Sequence, residues 1–589
     1  MRIRTFQTRP TTSRRNFVAG AAGIAGAAIA TPAFAGPGFL ARATAARAQD
    51  GAVFRMGYPN FPTLDPQFVT NGMWFAAEGL LEGVTKLAEG GTVAEPAAAE
   101  SWDVSDDGLT YTFHIREHNW SNGDPVTAND FEWSYQRLLT PSSAGAGVTL
   151  GANSFQPALG IVGATDFFAG RIESWDEVGI TAIDDRTLEF QLEYANAEFP
   201  LLLTHPSMLP LHQATVEASE EWILPENWVG NGPFVPESWS INTEIRLVPN
   251  EEYWDREAVT LSAVEVALAE TAAGEAAIAY ESGERDFVSL SLADVVRFQA
   301  DPELSQEVHS APAGTVAYLA TLRSKNPILE DVNIRKALSL GMSRDVIGQI
   351  FPNSRVGRQL VPDSLEGWNE DHNTPQDIEQ AKQILADAGY PDGEGFPEVK
   401  ILFNAENIAI EALADTWREN LGITVGLDMV EAGVYVERRW AVQEEDYIGF
   451  YFGTFGSTPT WSTWVASLWS PQFIQEFSLP ADVWAQYQEV QTNTDLTPAE
   501  RNEQLLQLRE ENASEASKAF EQAVEDAFTI ADPDEQRAAL QEAALLRQET
   551  YLILPFYYVD AFWAQKPEVG EIDYIQGGLH FYYKTLSKS

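Results

Sequence analysis

Short stretches in which apolar residues alternate with polar ones constrain the fold of this chain most. Such alternation flanks the turn Asp106-Asp107-Gly108 and recurs on both sides of Asp184-Asp185. A period of two around a short turn is typical of a β-hairpin. Between the two stretches, residues 127–138 repeat apolar side chains at helical spacing. We therefore expect an early region of two β-hairpins and one amphipathic helix.

The later part of the chain alternates helical and strand-like patterns. Residues 377–388 and 410–421 have helical periodicity, and Gly389 and Gly422 follow them as typical helix stops. Residues 423–429 then alternate as a strand, and 498–549 have the composition of helices. The chain is predicted to be an α/β protein. Its 589 residues are too many for one ordinary core, so two or three domains are expected.

The charge of the chain excludes two classes of partner. There are 87 acidic and 37 basic residues, and seven of the basic ones precede residue 49. From residue 49 onward the chain has 30 basic and 87 acidic residues, which gives a formal charge of −57. Such a surface repels nucleic acid and anionic lipid. It suits a salty environment, where screening reduces the repulsion between carboxylates.

The N-terminus has the features of an export signal. Arg14 and Arg15, preceded by Ser13 and followed by Phe17, introduce a run rich in Ala and Gly. Paired arginines before a weakly apolar run resemble a twin-arginine signal, and a general secretory signal is the alternative. We assign residues 1–48 to this signal, with cleavage after Ala48 favoured over cleavage after residue 35.

The chain contains no cysteine, which excludes disulfides, thiolate metal sites, a cysteine nucleophile and a lipid-modified N-terminal cysteine. No later stretch has the length and apolarity of a membrane span. The mature protein is therefore expected to be soluble and free in the periplasm rather than anchored to a membrane.

A series of motifs resembles one family along nearly the whole mature chain. Examples are Gly230-Asn231-Gly232-Pro233-Phe234 and Leu554-Pro555-Phe556-Tyr557-Tyr558. The others, in order, are residues 96–102, 105–113, 120–123, 250–255, 331–338 and 388–393. The chain is similar to the extracellular solute-binding proteins of family 5, which include the periplasmic oligopeptide-, dipeptide- and nickel-binding proteins of ABC transporters.

The resemblance implies a fold of the periplasmic binding protein-like II class, a three-domain Venus-flytrap with mixed sheets and a hinge. Domain I would comprise residues 49–85, 200–311 and 552–589, domain II 86–199, and domain III 312–551. The ligand would lie between domains I and III. The family is not catalytic, so neither enzymatic activity nor a cofactor is expected.

The resemblance also implies partners. The chain would bind an oligopeptide or a similar small solute and deliver it to the membrane permease subunits of an ABC importer. We expect a monomer. Peptide-binding members commonly hold the ligand's α-ammonium group with an Asp after a domain III strand, and alignment on Pro459 puts Phe455 at that position. The alternative of a non-peptide solute, such as a sugar-like oligosaccharide, an opine-like compound or a metal chelate, therefore stays open.

An uncharged segment, residues 447–475, is the strongest candidate for the ligand site. It carries nine aromatic residues, which can stack on rings, hold apolar side chains or attract cations. For each aromatic residue the alternative is that it faces the core, and Arg439 could meet a ligand carboxylate or form a surface ion pair. The predicted ligand-binding residues are Asn71, Met73, Trp74, Arg439, Tyr451, Phe452, Gly453, Phe455, Trp461 and Trp464.

One motif suggests an enzyme instead. His114, Glu117 and His118 fit the H-x-x-E-H pattern of a class of zinc peptidases. That chemistry requires both histidines on one face of a helix, whereas the preceding residues alternate as a strand. A zinc peptidase is therefore the less favoured alternative, and we predict no metal site.

Overall fold

The computed structural model describes residues 52–68, 71–88, 91, 93–140, 160–269, 273–350, 355–405, 407–456, 460–469, 479–493, 496–530, 532–572 and 581–589. The predicted export signal, residues 1–48, lies outside this part of the chain. Residues 51–589 form one compact unit. In the part of the chain that the structure describes, no helix combines the length and apolarity needed to cross a bilayer.

Strands and helices are labelled in chain order. The strands are β1 Ala52–Pro59, β2 Thr85–Leu87, β3 Ala94–Pro96, β4 Ala99–Val104, β5 Thr110–Ile115, β6 Ile180–Asp184, β7 Thr187–Gln191, β8 Phe234–Ser240, β9 Glu244–Pro249, β10 Leu261–Ala269, β11 Phe287–Ser289, β12 Val308–Thr321, β13 Arg355–Val356, β14 Val399–Phe403, β15 Val425–Met429, β16 Ile448–Gly456 and β17 Ile553–Gln565.

The α-helices are α1 Asn71–Gly79, α2 Ala128–Leu139, α3 Ala164–Phe168, α4 Phe199–Leu202, α5 Gln213–Ala218, α6 Ala273–Glu281, α7 Leu292–Ala300, α8 Val332–Leu340, α9 Val346–Ile350, α10 Ile378–Asp387, α11 Ile408–Leu421, α12 Ala432–Trp440, α13 Trp461–Trp469, α14 Ala481–Thr492, α15 Pro498–Asn512, α16 Glu515–Phe528 and α17 Pro533–Gln548.

The two predicted hairpins join into one antiparallel sheet in the order β4-β5-β7-β6. Phe113 lies opposite Leu188, so the buried faces of the two hairpins share one register. The helix predicted between them is α2, where the Asp130 carboxylate accepts a hydrogen bond from the Thr127 N–H at 2.8 Å. A second sheet, β1-β10-β9-β8, and the short pair β2-β3 complete the strands of this region.

The longest sheet runs in the order β11-β17-β12-β16-β14-β15, with β13 also paired to β17. It is mixed, since β14 is parallel to β15 and β16 whereas β12 is antiparallel to β16 and β17. From β12 to β15 both faces of this sheet are covered by helices. One face carries α13, α16 and α17, and the other carries α8, α10 and α11.

Buried apolar side chains divide the molecule into two regions. One cluster joins the two smaller sheets with the C-terminal residues 581–586. Two further clusters lie on the two faces of the long sheet between Val316 and Tyr558. We call residues 52–312 with 560–589 lobe one, and residues 315–558 lobe two. The chain passes from lobe one to lobe two in β12 and returns in β17.

The boundary between the lobes falls on an irregularity in the β12–β17 pair. Pro312 lies opposite Asp560 and Thr315 opposite Val559, so residues 313 and 314 bulge out of the ladder. Gly314 has a φ of 59°, a backbone conformation that favours glycine. A bulge bends the strand that contains it. We therefore expect β12 and β17 to act as the hinge about which the lobes move.

Candidate functional site

Strand β16 presents one row of predicted site residues to the helices α13, α16 and α17. Tyr451 is buried in the core on that face and Phe455 packs against it, with Gly453 between them. The side chain of Phe452 points to the opposite face, where its ring lies 5.9 Å from that of Phe556. Strand alternation thus separates Phe452 from the other three positions. From Phe452 to Gly456 the strand is partly or fully exposed.

Gly453 provides space for an aromatic ring. A Cβ atom at this position would lie 2.7 Å from the Cζ atom of Tyr318 on the neighbouring strand β12. The Tyr318 ring in turn lies edge-on to Tyr451, with 6.3 Å between the ring centroids. The absence of a side chain at Gly453 therefore allows the two tyrosine rings to meet on this face of the sheet.

Arg439 lies over the same tyrosines. Its guanidinium carbon is 5.4 Å from the centroid of the Tyr451 ring and 5.9 Å from that of Tyr435. The Tyr435 hydroxyl donates a hydrogen bond of 2.5 Å to the carbonyl oxygen of Phe452. A guanidinium held over aromatic rings can also donate hydrogen bonds to a carboxylate. The structure therefore brings together Arg439 and Tyr451, two of the predicted site residues.

Helix α13 places both predicted tryptophans in the core. Trp461 is 3% exposed and its Nε1–H donates to the carbonyl oxygen of Glu366 at 2.8 Å. Trp464 is fully buried, and its ring meets that of Phe455 edge to face at 4.8 Å. Among the described residues no hydrogen-bond partner reaches the buried Nε1 of Trp464. Trp464 thus packs directly against Phe455, and Trp461 lies in the same buried cluster.

Lobe one contributes a single described side chain from the predicted set. Trp74 of α1 is half-buried, and its ring lies 5.8 Å from that of His205. Burial lowers the pKa of His205 to about 4, so its imidazole is neutral at pH 7. Asn71 and Met73 belong to the same helix, but their side chains lie outside the described part of the structure.

The two lobes also contact each other at residues 194–198 of lobe one, away from β12 and β17. The sequence analysis did not identify these residues. Tyr194 stacks on Phe528 of lobe two, with ring centroids 5.1 Å apart. The Gln536 side chain donates to the carbonyl oxygen of Ala195 at 3.3 Å. Glu198 accepts a hydrogen bond of 3.1 Å from the backbone N–H of Ser462 in α13. Residues 194–198 carry no periodic pattern that could have identified them in the sequence.

The zinc-peptidase motif does not lie on a helix. His114 is on β5 and its Nε2 lies 2.8 Å from a carboxylate oxygen of Asp103 on β4. Glu117 pairs with Arg186 at 3.4 Å, and His118 contacts the carbonyl oxygen of Arg116. Within the described ranges, no group of three or more His, Cys, Asp or Glu residues could hold a metal ion.

A comparison with known protein families identifies the chain. Residues 93–475, well over half of the sequence, match the bacterial extracellular solute-binding proteins, family 5. The chain belongs to this family. The family-5 chain is 31% identical over 364 residues to the periplasmic oligopeptide-binding protein OppA of Escherichia coli, covering 58% of this chain and 64% of that protein. It is 28% identical over 485 residues to OppA of Salmonella typhimurium, covering 79% of each.

Solved structures agree with this assignment at the level of the fold. The family-5 chain superposes on Haemophilus influenzae OppA, in complex with the peptide RPPGFSPFR, with a TM-score of 0.70 at 24% identity. The match covers 92% of this chain and 99% of that one. The expected periplasmic binding protein-like architecture, a Venus-flytrap with mixed sheets and a hinge, is confirmed.

Proposed function

We propose that the chain is the substrate-binding component of an ABC importer and that it binds an oligopeptide between its two lobes. The observation that carries this proposal is its family membership, together with several relatives whose names state that they bind oligopeptides. The peptide would be held without chemical change, because the relatives that the chain matches are named as binding proteins.

The chemistry of the β16 face suits a ligand of variable sequence. Uncharged aromatic side chains offer contact area without selecting a particular charge, and an exposed strand end offers backbone groups to an extended peptide. Arg439 would receive a ligand carboxylate. Phe455 has no charge to offer an α-ammonium group, so peptides with a blocked N-terminus should bind as well as free ones.

The proposed domain boundaries are those that the family resemblance implies. We propose domain I at 49–85, 200–311 and 552–589, domain II at 86–199, and domain III at 312–551. The bulge after Pro312 supports the first boundary of domain III, whereas Ile553 and Tyr558 pack in the core of lobe two and favour a second boundary nearer residue 559 than 552. The proposed ligand-binding residues are Asn71, Met73, Trp74, Arg439, Tyr451, Phe452, Gly453 and Phe455, and the buried Trp461 and Trp464 of α13 would contribute from the core beneath them.

We also propose that the chain reaches the periplasm as a folded monomer through twin-arginine export. Replacing Arg14 and Arg15 by lysine should then retain the precursor in the cytoplasm. Fractionation of cells that express the R14K/R15K precursor measures this directly. Undiminished export of the variant would show that the general secretory route is used instead.

Thermal unfolding with pools of synthetic peptides tests the proposed ligand class. A ligand at about 100 times its Kd stabilises the native state by about 2.7 kcal/mol, so binding pools raise Tm. Pools of oligosaccharides, opines and metal chelates serve as matched controls. Native mass spectrometry of protein purified from its own host should detect bound short peptides. A rise in Tm with sugars or chelates alone would contradict the proposal.

A further inference from the structure

We propose that Glu198 is a positioning residue that caps helix α13 across the lobe interface, so that closure of the lobes orders the helix behind the ligand site. This inference rests on the proposed function only in that closure is what ligand binding brings about. The contact itself is a feature of the structure. Glu198 belongs to lobe one and α13 to lobe two.

The N-terminus of α13 receives its hydrogen-bond acceptors from two different lobes. The first N–H groups of a helix have no partner within the helix. Thr460, in the same lobe, accepts from the Thr463 N–H through its hydroxyl oxygen at 3.0 Å. Glu198 accepts from the Ser462 N–H at 3.1 Å, and the Ser462 hydroxyl donates to the same carboxylate oxygen. One cap is therefore local and the other exists only while the lobes touch.

The carboxylate is well suited to this position. A helix N-terminus carries a partial positive charge, and hydrogen bonds to an ionised acceptor are stronger than those between neutral groups. Thr460, Ser462 and Thr463 are each no more than 2% exposed in this structure. If the lobes closed without Glu198, the Ser462 N–H would be buried without a partner. Its burial would then cost free energy in the closed state alone.

The helix that Glu198 caps is the one that supports the candidate site. Trp464 of α13 meets the Phe455 ring, and Trp461 is fixed to Glu366 in the same lobe. Tyr194, four residues before Glu198, stacks on Phe528 of lobe two. Residues 194–198 thus contact lobe two at several points, and Glu198 reaches α13.

Single-molecule fluorescence energy transfer tests the inference without any ligand. The chain has no cysteine, so dyes can be placed at E220C in lobe one and E503C in lobe two, both exposed. Glu198→Gln keeps an acceptor oxygen but removes the negative charge that the helix N-terminus favours, and it should shorten the closed-state dwell time about tenfold, which corresponds to about 1.4 kcal/mol. Glu193→Gln is the matched control, since Glu193 contacts Gly163 within lobe one. Its dwell times should equal those of the unaltered chain.

The Tm of the ligand-free protein distinguishes a positioning role of Glu198 from a merely structural one. Glu198→Gln should lower the Tm of the ligand-free protein less than Thr460→Ala does, because its contact stabilises the protein only while the lobes are closed. Thr460→Ala removes the local cap in both states and should lower that Tm by about 2 °C. Equal closed-state dwell times in E198Q and E193Q would overturn the inference. So would an equal loss of ligand-free Tm in E198Q and T460A.

A peptide probe distinguishes this role from direct contact with the ligand. Tetra-alanine and its N-acetylated form should both bind E198Q about tenfold more weakly than the unaltered chain, mainly through faster dissociation. Loss of affinity for the free-amine form alone would identify Glu198 as an ammonium ligand and overturn the inference. Failure of tetra-alanine to bind the unaltered chain would count against the proposed function, and the dwell times would still decide the role of Glu198.

Discussion

At the scale of single residues, the neighbours on the β16 face decide what each side chain can do. Alternation along one strand explains why Tyr451 and Phe455 share a face and why Phe452 does not. The partners of Tyr451 on other elements, Tyr318 and Tyr435, could not be predicted, because neither follows from a local pattern. Glu198 and Ser462 are 264 residues apart and meet only because the lobes do.

The close contact at Gly453 makes a first prediction. In Gly453→Ala the new methyl group would meet the Tyr318 ring, and relieving that overlap should cost about 1–3 kcal/mol of stability. The matched control is Gly348→Ala in α9, where a Cβ atom would meet nothing within 4 Å. The control should be neutral or stabilising by up to about 1 kcal/mol. Urea denaturation measures both, and equal stability of the two variants would contradict the account.

His205 predicts a pH dependence. Burial lowers its pKa to about 4, whereas an unfolded histidine titrates near pH 6.5. Between these values the unfolded state binds the proton and the folded state does not. Stability is therefore lost as pH falls from about 6.5 towards 4, by about 2.5 kcal/mol. His205→Asn keeps an acceptor for the Ser207 N–H and removes the titration. The free energy of unfolding should decrease more between pH 7 and pH 4.5 in the unaltered chain than in H205N.

At the scale of elements, local chemistry predicts much of the structure. The Asp377 side chain accepts from the Gln380 N–H at 2.9 Å and begins α10, and Gly422 ends α11 with a φ of 68°. Each signal is carried by a few consecutive residues, so the sequence alone reveals it. The β12–β17 pair is different. Its strands lie more than 200 residues apart, and their pairing, which builds the hinge, has no local signature.

The hinge makes a prediction for hydrogen exchange. Amides at residues 313–314 should exchange at least about tenfold faster than those of Val316 and Ala317, because the bulge removes ladder hydrogen bonds. A bound peptide should slow exchange at 313–314. The bulge at 99–101 between β4 and β5 lies within lobe one and is the control. Its exchange should not respond to the peptide, and an equal response at both bulges would contradict the assignment of the hinge.

At the scale of the whole molecule, two cores connected by two paired strands account for the behaviour expected of a flytrap. The order of motifs along the chain implied this architecture, and the superposition on a peptide-bound relative supports it. The sequence could not indicate how the lobes meet, because that interface is formed by side chains from distant segments. Tyr194 on Phe528 is one such contact.

The acidic composition predicts a response to salt. From residue 49 onward the formal charge is −57, and the Debye length falls from about 10 Å at 0.1 M to about 3 Å at 1 M salt. Repulsion between carboxylates should therefore weaken, and Tm should rise by several degrees between these concentrations of sodium chloride. Equimolar sucrose in place of salt controls for excluded-solute effects. A Tm that does not change with salt would contradict this reading of the charge.

Small-angle X-ray scattering of the mature protein, with and without a saturating peptide, tests the central claim most directly. The account predicts a smaller radius of gyration in the bound state, because the lobes move together about β12 and β17, and recovery of the peptide chemically intact. Superimposable scattering curves, or a peptide recovered in cleaved form, would contradict it.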